Sequence, residues 1–247
     1  MPHKANWWET FFVDFRPVFG HYSRKEINAE IRYVSRKLGL KPGMSLLDCP
    51  CGYGRMSLPL AKRGIKVTGV DITPSYLEEF ERNASRAGVA VRLFHQDMRR
   101  ISFRNEFDAA ANLYTSFGYF EEEAQNLLAL KKVYQALRPG GRFLLSLINR
   151  DWILINFTSR DWFELKGVRL LQWRSFDHAH SIMNDNWQFE KDGAVKVHKT
   201  KLRLYSYHEL RAMFEQVGFV EIEGFGSHQD TPTGRNNRMI YVLGRKP

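Results

Sequence analysis

Short apolar segments alternate with longer segments of helical periodicity through most of the chain. Five apolar runs of strand length lie at residues 45–49, 66–72, 91–95, 107–114 and 142–148. Helical patterns follow three of them, over about 54–63, from 73 onward and over about 121–137. Strands that are short, apolar and without strict alternation are typical of a sheet buried on both faces. The alternation therefore predicts a parallel sheet with helices on both sides.

The two ends of the chain extend this pattern. Apolar residues repeat at helical spacing over 27–38, after Ser23 and Glu26 placed as a capping box, and the helix is expected to end at Gly39. The last predicted elements are a helix at 206–217 and strands at 219–225 and 239–244.

The alternation stops after Asn149. Residues 161–205 hold extended segments separated by turn-like Asp-His, Asn-Asp and Lys-Asp-Gly sequences, which predicts an antiparallel meander. The predicted fold is α/β, a doubly wound, mostly parallel seven-stranded sheet with an antiparallel β insertion after strand five. One domain is expected over 1–247, divided into an N-terminal lid and helix (1–40), a cofactor-binding half (41–150), the β insertion (151–205) and a C-terminal helix with the last two strands (206–247).

The composition is that of an ordinary globular protein with a basic surface. The 247 residues carry a net charge of +10, spread along the sequence rather than gathered in a tail. This spread favours a solvated surface over a nucleic-acid-binding arm. No run approaches about 18 apolar residues, and no signal cleavage site is recognisable, so we expect a cytoplasmic protein without membrane attachment. With Cys49 and Cys51 as the only cysteines, neither a disulfide framework nor a metal site is expected.

The strongest local signal is LLDCPCGYGRMSLPLA at residues 46–61. A predicted strand ends at Asp48, a turn contains Gly52 and Gly54, and a helical pattern follows. Glycines let the backbone approach a ligand closely, and the N–H groups at a helix start point toward it. Asp71 ends the next predicted strand, close to the offset of about 20 residues at which an acid binds ribose hydroxyls. The pattern predicts a nucleoside cofactor.

The charge of this turn favours S-adenosylmethionine over a dinucleotide as the ligand. Cys49, Pro50 and Arg55 stand where the dinucleotide fingerprint requires glycine or small residues, and Asp48 directly precedes the turn. A carboxylate there would repel a pyrophosphate, but it would attract the ammonium and sulfonium groups of S-adenosylmethionine. S-adenosylmethionine is therefore the predicted cofactor.

Several motifs in order resemble the class I S-adenosylmethionine-dependent methyltransferase family. DCPCGYG is similar to the family motif D-x-G-C-G-x-G, with Pro50 in place of the first glycine. The segments VDIT, HQDM, FDAAANLYTSFGYF and LRPGGRFLLSLINR resemble the motifs that follow, and YSYHELRAMFEQVGF resembles the late helix. The nearest likeness is to bacterial small-molecule and sugar N-methyltransferases, through TSFGYF and the β insertion, which in that likeness roofs the acceptor pocket.

The resemblance implies a set of cofactor-binding residues. Asp48, Gly52 and Gly54 would line the methionine part, Asp71 would bind the ribose hydroxyls, and Asp97 would meet the adenine. Asp97 has an alternative role as an acid that closes a loop. The complete implied set is Asp48, Pro50, Gly52, Gly54, Arg55, Asp71, Ile72, Asp97, Met98 and Leu113.

The catalytic residue is left open by the sequence. Candidates on the acceptor side are Tyr22, Tyr114, Tyr119, Asn149, His178 and His180. For the two histidines a surface position is favoured, and the tyrosines are interpreted as pocket walls because an ordinary tyrosine has a pKa of about 10. Aromatic residues near the N-terminus are interpreted as core packing or as a lid over the cofactor: Trp7, Trp8, Phe11, Phe12, Phe15 and Phe19.

The resulting functional prediction is methyl transfer to a nitrogen or oxygen atom of a small-molecule acceptor. The positive net charge motivates an alternative, an RNA or protein methyltransferase with an anionic substrate. A nucleic acid is disfavoured because no RNA-binding module is recognisable. A third alternative keeps the nucleoside site but is non-catalytic or reacts differently, because a fold does not fix a reaction. The β insertion could also form a homodimer surface instead of a pocket roof.

Overall fold

The computed structural model describes residues 7–16 and 23–247. Within these residues the helices are α1 (Trp7–Phe15), α2 (Arg24–Leu38), α3 (Ser57–Ala61), α4 (Pro74–Arg86), α5 (Glu123–Ala136), α6 (Arg150–Ile155) and α7 (Tyr207–Val217). The strands are β1 (Ser45–Asp48), β2 (Lys66–Asp71), β3 (Arg92–His95), β4 (Phe107–Asn112), β5 (Leu137–Ile148), β6 (Arg160–Leu165), β7 (Val168–Asp177), β8 (Ile182–Lys191), β9 (Ala194–Arg203), β10 (Val220–Phe225) and β11 (Met239–Arg245).

Seven strands form one sheet in the order β10-β11-β5-β4-β1-β2-β3. The pairs from β5 to β3 are parallel, and β11 runs antiparallel to both of its neighbours. The predicted doubly wound, mostly parallel seven-stranded sheet is thus confirmed. The chain leaves β1 toward β2 and β3 and then returns to β4 on the other side of β1. In such sheets ligands bind at the carboxyl ends of the strands beside this reversal.

The sheet is buried on both faces. Successive residues of β1 enter different apolar clusters: Leu46 packs with Ile31 of α2 and Phe80 of α4, whereas Leu47 lies in the cluster that contains Leu130 of α5 and Phe214 of α7. Because helices cover both faces, both sets of alternating side chains must be apolar. Burial on both faces explains why these strands appear in the sequence as short continuous apolar runs.

The first predicted helix occurs as α2, with the predicted signals at both ends. The backbone N–H of Glu26 donates to Ser23 Oγ at 3.2 Å, and the backbone N–H of Ser23 donates to the Glu26 carboxylate at 2.7 Å. Gly39 ends the helix in the left-handed region, at φ 65°. The capping box and the glycine stop are both confirmed.

The predicted antiparallel insertion after strand five is confirmed as a second sheet of four strands, in the order β6-β7-β8-β9. One face of this sheet carries Leu170 and Phe189, which pack in one cluster with Phe11 of α1. Trp8, on the same helix, belongs to the core of the main sheet. The helix α1 therefore joins the insertion to the main sheet.

Some element boundaries differ from the prediction. The helix expected over 54–63 is limited to α3, because the loop after β1 continues to Met56, and β5 begins five residues before the expected start at 142. Thr73 is the N-cap residue of α4, but its side chain makes no capping hydrogen bond. The helix α6 has no counterpart in the prediction, because a helix of 6 residues without a buried side chain leaves no periodic apolar pattern.

Candidate functional site

The loop after β1 is fixed by backbone hydrogen bonds and by glycine. The backbone N–H of Cys51 donates to the Val70 carbonyl of β2 at 2.9 Å. Gly54 has φ 79°, and a Cβ atom there would lie 2.3 Å from the ring of Phe80. Only glycine fits a position that combines this φ with this approach. The loop is thereby held at the carboxyl ends of β1 and β2.

A cavity of about 270 Å³ lies at this end of the sheet, close to the lower limit of the roughly 300–1,000 Å³ usual for ligand pockets. Its walls come from the loop after β1, from segments following β2, β3 and β4, and from α1. Most residues that the resemblance assigns to the cofactor line this cavity: Asp48, Pro50, Gly52, Arg55, Asp71, Ile72, Asp97, Met98 and Leu113. Gly54 is not among the lining residues, and its role is the close packing against Phe80.

Asp48, the last residue of β1, is a buried carboxylate with 4% of its surface exposed. Its Oδ2 accepts a hydrogen bond of 2.7 Å from the hydroxyl of Ser57 in α3. Burial raises the pKa of Asp48 to about 7, and the nearby charge of Asp71 acts in the same direction. A carboxyl group of this kind gains from a cationic ligand, which would favour its ionised form.

Asp71, the last residue of β2, is also buried and lines the same cavity. Its Oδ2 accepts the backbone N–H of Gly52 at 2.7 Å, and its Oδ1 accepts the backbone N–H of Thr73 at 2.9 Å. Burial raises the pKa of Asp71 although both hydrogen bonds oppose the shift. Each oxygen keeps acceptor capacity for a ligand hydroxyl. The two N–H donors fix the orientation of the carboxylate at the cavity wall.

Asp97, in the loop after β3, makes most of its hydrogen bonds within that loop. It accepts the backbone N–H of Arg99 at 2.8 Å and forms an ion pair with the Arg99 guanidinium at 2.6 Å. Burial alone would raise the pKa of Asp97, but these bonds outweigh it and lower the pKa. Arg99 is held in turn over the ring of Phe120. The carboxylate therefore closes the loop, as the alternative interpretation proposed, while it also lines the cavity.

Arg55 and Tyr114 meet on one wall of the cavity. The guanidinium carbon of Arg55 lies 3.5 Å from the centroid of the Tyr114 ring. The hydroxyl of Tyr114 donates a hydrogen bond to the carboxylate of Glu30, on α2. Burial raises the pKa of Glu30, although Tyr114 and the charge of Arg55 both oppose this shift. An acid, a phenol and a guanidinium from three separate elements thus form one cluster.

The helix α1 covers the cavity and is tied to both sheets. Phe12 and Arg16 line the cavity, and the hydroxyl of Tyr76 in α4 donates to the Phe12 carbonyl at 2.6 Å. Arg16 follows α1 directly and forms an ion pair with Glu79 of α4 at 2.8 Å. On the insertion side, Asp14 pairs with His198 and Lys196 of β9. The aromatic N-terminal residues that are described serve both as core packing and as a cover; Phe19 lies outside the described residues.

Tyr114 and Tyr119 are the acceptor-side candidates that line the cavity. Tyr119 is 9% exposed and contacts the Trp7 ring edge-on at 5.0 Å between ring centroids. Burial raises the pKa of Tyr119, which suits a wall more than a proton acceptor. Tyr22 lies outside the described residues.

The remaining candidates do not line the cavity. His178 and His180 lie in the exposed turn between β7 and β8, and His180 Nδ1 is 2.7 Å from the carboxylate of Asp177. Asn149 caps α6 through the N–H of Asp151, and its amide donates to two carbonyl oxygens of the loop after β10. These three residues therefore lie away from the cavity: His180 pairs within its hairpin turn, His178 contacts the ring of Phe176, and Asn149 holds the start of α6 to the loop after β10.

Among the site residues that the sequence prediction did not name are Glu30, Arg16 and Tyr76. One signal was available for Glu30, which falls at helical spacing among the apolar residues Ile27, Ile31 and Val34. An acid within an apolar stripe indicates a buried polar contact. Arg16 and Tyr76 carry no such signal, because their role depends on how α1 crosses α4.

The described part of the chain holds no group of three or more His, Cys, Asp or Glu side chains arranged to bind a metal ion. Among the described helices, none has the length and apolar character needed to cross a membrane.

Residues 46–141 match a family model described as a methyltransferase domain. The chain is 33% identical over 155 residues to a ubiquinone biosynthesis O-methyltransferase of Methylobacterium sp. (strain 4-46), covering 59% of this chain and 59% of that enzyme. It is 31% identical over 213 residues to an S-adenosyl-L-methionine-dependent Diels-Alderase of Talaromyces variabilis, covering 83% of this chain and 64% of that enzyme.

Solved structures agree with the architecture described above. An S-adenosylmethionine-dependent methyltransferase from Clostridium acetobutylicum superposes with a TM-score of 0.82 at 15% identity, covering 96% of this chain and 99% of that one. A sugar N-methyltransferase from Streptoalloteichus sp. superposes with a TM-score of 0.70 at 20% identity, covering 100% and 96%. Residues 46–141 thus form a methyltransferase domain, and the whole chain has the fold of S-adenosylmethionine-dependent methyltransferases.

Proposed function

We propose that this enzyme transfers the methyl group of S-adenosylmethionine to a nitrogen or oxygen atom of a small-molecule acceptor. The observation that carries the proposal is the cavity beneath α1. Its volume of about 270 Å³ is near that of small-molecule sites, and residues of α1 form part of its wall.

The chemistry of the donor set fits this cofactor. Asp48 and Asp71 are buried carboxylates on one cavity wall, and a ligand with positive charge offsets the cost of ionising them there. S-adenosylmethionine brings an ammonium and a sulfonium group, whereas a dinucleotide would add negative charge. When bound, the cofactor supplies an electrophilic methyl group on its sulfonium centre.

Different residues of the chain would bind different parts of the cofactor. Asp48 would hold the ammonium group. Asp71, already oriented by two backbone N–H donors, would accept hydrogen bonds from the ribose hydroxyls. Ile72 and Met98 supply apolar walls for the adenine. These contacts follow from the family resemblance together with the geometry of the cavity.

The acceptor would lie beneath α1, against aromatic walls formed by Trp8, Phe12, Tyr119 and Phe120. Such walls exclude water and orient the acceptor, and orientation is the main requirement of an in-line displacement. A neutral amine needs no strong base, whereas a hydroxyl acceptor benefits from one. Since burial raises the pKa of Tyr119, we favour a nitrogen acceptor.

The names of two relatives support a small acceptor. One acts as an O-methyltransferase in ubiquinone biosynthesis, and the other is a sugar N-methyltransferase. The Diels-Alderase relative shows that a related sequence carries a different S-adenosylmethionine-dependent activity. The assay must therefore follow the fate of the cofactor as well as that of the acceptor.

The test is release of S-adenosylhomocysteine from methyl-labelled S-adenosylmethionine with separate panels of small amines, small hydroxyl compounds, RNA and protein extract. We expect label in small molecules, with amines ahead of hydroxyl compounds, and no turnover by the Asp71→Ala variant. Label found in RNA or protein alone would contradict the proposal. Product formation without consumption of the cofactor would point instead to a different reaction.

RNA is the second candidate acceptor, favoured by the net charge of +10. Binding through phosphate contacts weakens steeply as salt rises, because counterions are released on binding. A small acceptor that carries at most one or two charges gives turnover that changes much less with salt. Repeating the assay at low and at high salt therefore separates the two candidates.

A further inference from the structure

We propose that α1 is a gate that opens along its contact with α4, while its other side stays on the insertion. This contact, the α1–α4 seam, consists of Phe12 and Arg16 on one side and Tyr76 and Glu79 on the other. Residues of α1 and Arg16 form part of the cavity wall, so opening of the seam exposes the cavity. The inference holds for any small molecule that the cavity binds.

The side of α1 that faces the insertion is held by buried apolar side chains. Phe11 is 5% exposed and packs in one cluster with Leu170 and Phe189. Asp14 adds an ion pair with Lys196 of β9 at 2.5 Å. Full burial of a phenylalanine side chain contributes more free energy than a partly exposed ion pair. Loss of the ion pair alone therefore leaves this side of the helix in place.

The first turn of α1 is anchored in the core of the main sheet. Trp8 is 8% exposed, and its ring meets the ring of Phe120 edge-on at 5.4 Å between centroids. Trp7 meets Tyr119 in the same way at 5.0 Å. The start of the helix and its insertion side are thus both fixed by buried rings, which leaves the α1–α4 seam as the contact that gives way.

The α1–α4 seam is closed by weaker contacts. The hydroxyl of Tyr76 donates to the Phe12 carbonyl at 2.6 Å, and the two rings lie 6.5 Å apart between centroids. Arg16 pairs with Glu79 at 2.8 Å, but these side chains remain 25% and 29% exposed. Ion pairs that water reaches contribute little to stability and are screened by salt. The seam can therefore open at a small cost in free energy.

Arg16 also carries a feature that disfavours the closed seam. Its Nε–H group is buried and has no hydrogen-bond partner within the described part of the chain. A buried donor without an acceptor loses its hydration without compensation. Opening of the seam returns this donor to water, so the closed and open positions of α1 are closer in free energy than the contacts of Arg16 alone would make them.

The experiment measures the association and dissociation rates of S-adenosylhomocysteine by stopped-flow fluorescence in the wild type and in Glu79→Ala. Glu79 is not among the residues that line the cavity, so its removal deletes the ion pair with Arg16 and no wall of the cavity. We expect both rates to rise by the same factor, about two- to fivefold, with Kd unchanged. The ligand passes only through the open gate, and the ion pair acts on the empty and the filled protein alike. Structural damage would instead raise dissociation alone.

Two variants serve as controls and should keep both rates near those of the wild type. Glu78→Ala removes the neighbouring carboxylate of α4, which pairs with Arg82 on the same helix at 3.8 Å. Asp14→Asn removes the charge on the insertion side, where Phe11 still holds α1. Rates in Glu79→Ala that match those in Glu78→Ala, or an equal rise in Asp14→Asn, would overturn the inference.

A second measurement needs no ligand. The backbone N–H of Arg16 donates to the Phe12 carbonyl at 3.1 Å, and its hydrogen exchange reports opening at the end of α1. We expect the unliganded Glu79→Ala variant to exchange about two- to fivefold faster than Glu78→Ala in this last turn. Equal exchange would also overturn the gate. A wild type that does not bind S-adenosylhomocysteine would contradict the proposed function, and the exchange rates would still decide this inference.

Discussion

If Asp48 binds the ammonium group of the cofactor as proposed, its charge state links cofactor binding to pH. Asp48 is 4% exposed, and Ser57 is its hydrogen-bond donor at 2.7 Å. Burial raises its pKa to about 7, so the group changes charge near neutral pH. The ionised form is the one that attracts an ammonium group. Binding of the cofactor therefore competes with binding of a proton.

This competition predicts that the affinity for S-adenosylmethionine falls as pH drops below 7. A ligand that requires the ionised carboxylate loses up to about tenfold in affinity per pH unit once the group is protonated. The Asp48→Asn variant should bind weakly, with little pH dependence between pH 5 and 7. Calorimetry across this pH range measures the affinity of the wild type and that of the variant. An unchanged slope in the variant would assign the pH dependence to another group.

The same shift predicts a gain in stability for Asp48→Asn above pH 7. Because the folded pKa of about 7 exceeds the ordinary 3.8, the folded wild type loses stability as pH rises through this window. The variant does not titrate, so its advantage should grow to about 2–4 kcal/mol at pH 8 and vanish near pH 4. Denaturant unfolding at both pH values tests this. A variant that is less stable at pH 8 would contradict it.

Gly54 is the backbone residue on which the loop depends most. Alanine there adds a Cβ atom 2.3 Å from the ring of Phe80, which is fully buried. We expect Gly54→Ala to lose about 2–5 kcal/mol of unfolding free energy. Gly88→Ala is the matched control, since Gly88 has a similar φ of 65° with nothing within 4 Å. The Gly88→Ala variant should lose only about 1 kcal/mol of unfolding free energy. Equal losses in the two variants would mean that the positive φ, and not the contact with Phe80, causes the destabilisation.

At the scale of elements, α1 connects the cavity to the insertion. Phe11 packs on Trp187 and Phe189 of β8, while Phe12 and Arg16 line the cavity on the other side. Since part of the cavity wall is this helix, a ligand that fills the cavity adds contacts to it. Binding should therefore suppress opening of α1.

We predict that S-adenosylhomocysteine slows amide hydrogen exchange in α1. The helix α5 contributes no residue to the cavity and should show little local change, which makes it the internal control. In Asp71→Ala, the same ligand concentration should leave exchange in α1 unchanged. Mass-spectrometric hydrogen exchange measures the rates in α1 and α5 of the wild type and in α1 of the variant. Slowing confined to other elements would show that α1 does not cover the ligand.

The elements that the sequence predicts well are those with local signals. The parallel strands, the capping box at Ser23 and the glycine turn after Asp48 each depend on a few neighbouring residues. The short helix α6 and the early start of β5 depend on tertiary pairing, and no periodic pattern marks them. The two histidines of the β7–β8 turn lie at the exposed position that the turn-like sequence around them favoured.

At the scale of the whole molecule, some residues of the candidate site could be predicted from local sequence motifs and others could not. The residues that a linear motif supplies, such as Asp48 and Asp71, line the cavity as expected. Glu30 and Arg16 reach the site only because α2 and α1 fold back over the sheet, at distances along the chain that no motif encodes. The residues of the loop after β1 are therefore predictable from sequence, whereas those that α1 and α2 bring to the site require knowledge of how these helices pack.

The central claim is that this cavity binds S-adenosylmethionine through Asp71. Calorimetric titration of the wild type and of Asp71→Ala with S-adenosylmethionine and S-adenosylhomocysteine tests it most directly. We predict micromolar binding of both ligands by the wild type and loss of binding in the variant, since Asp71 is proposed to accept hydrogen bonds from the ribose hydroxyls. Failure of the wild type to bind either ligand would contradict the account.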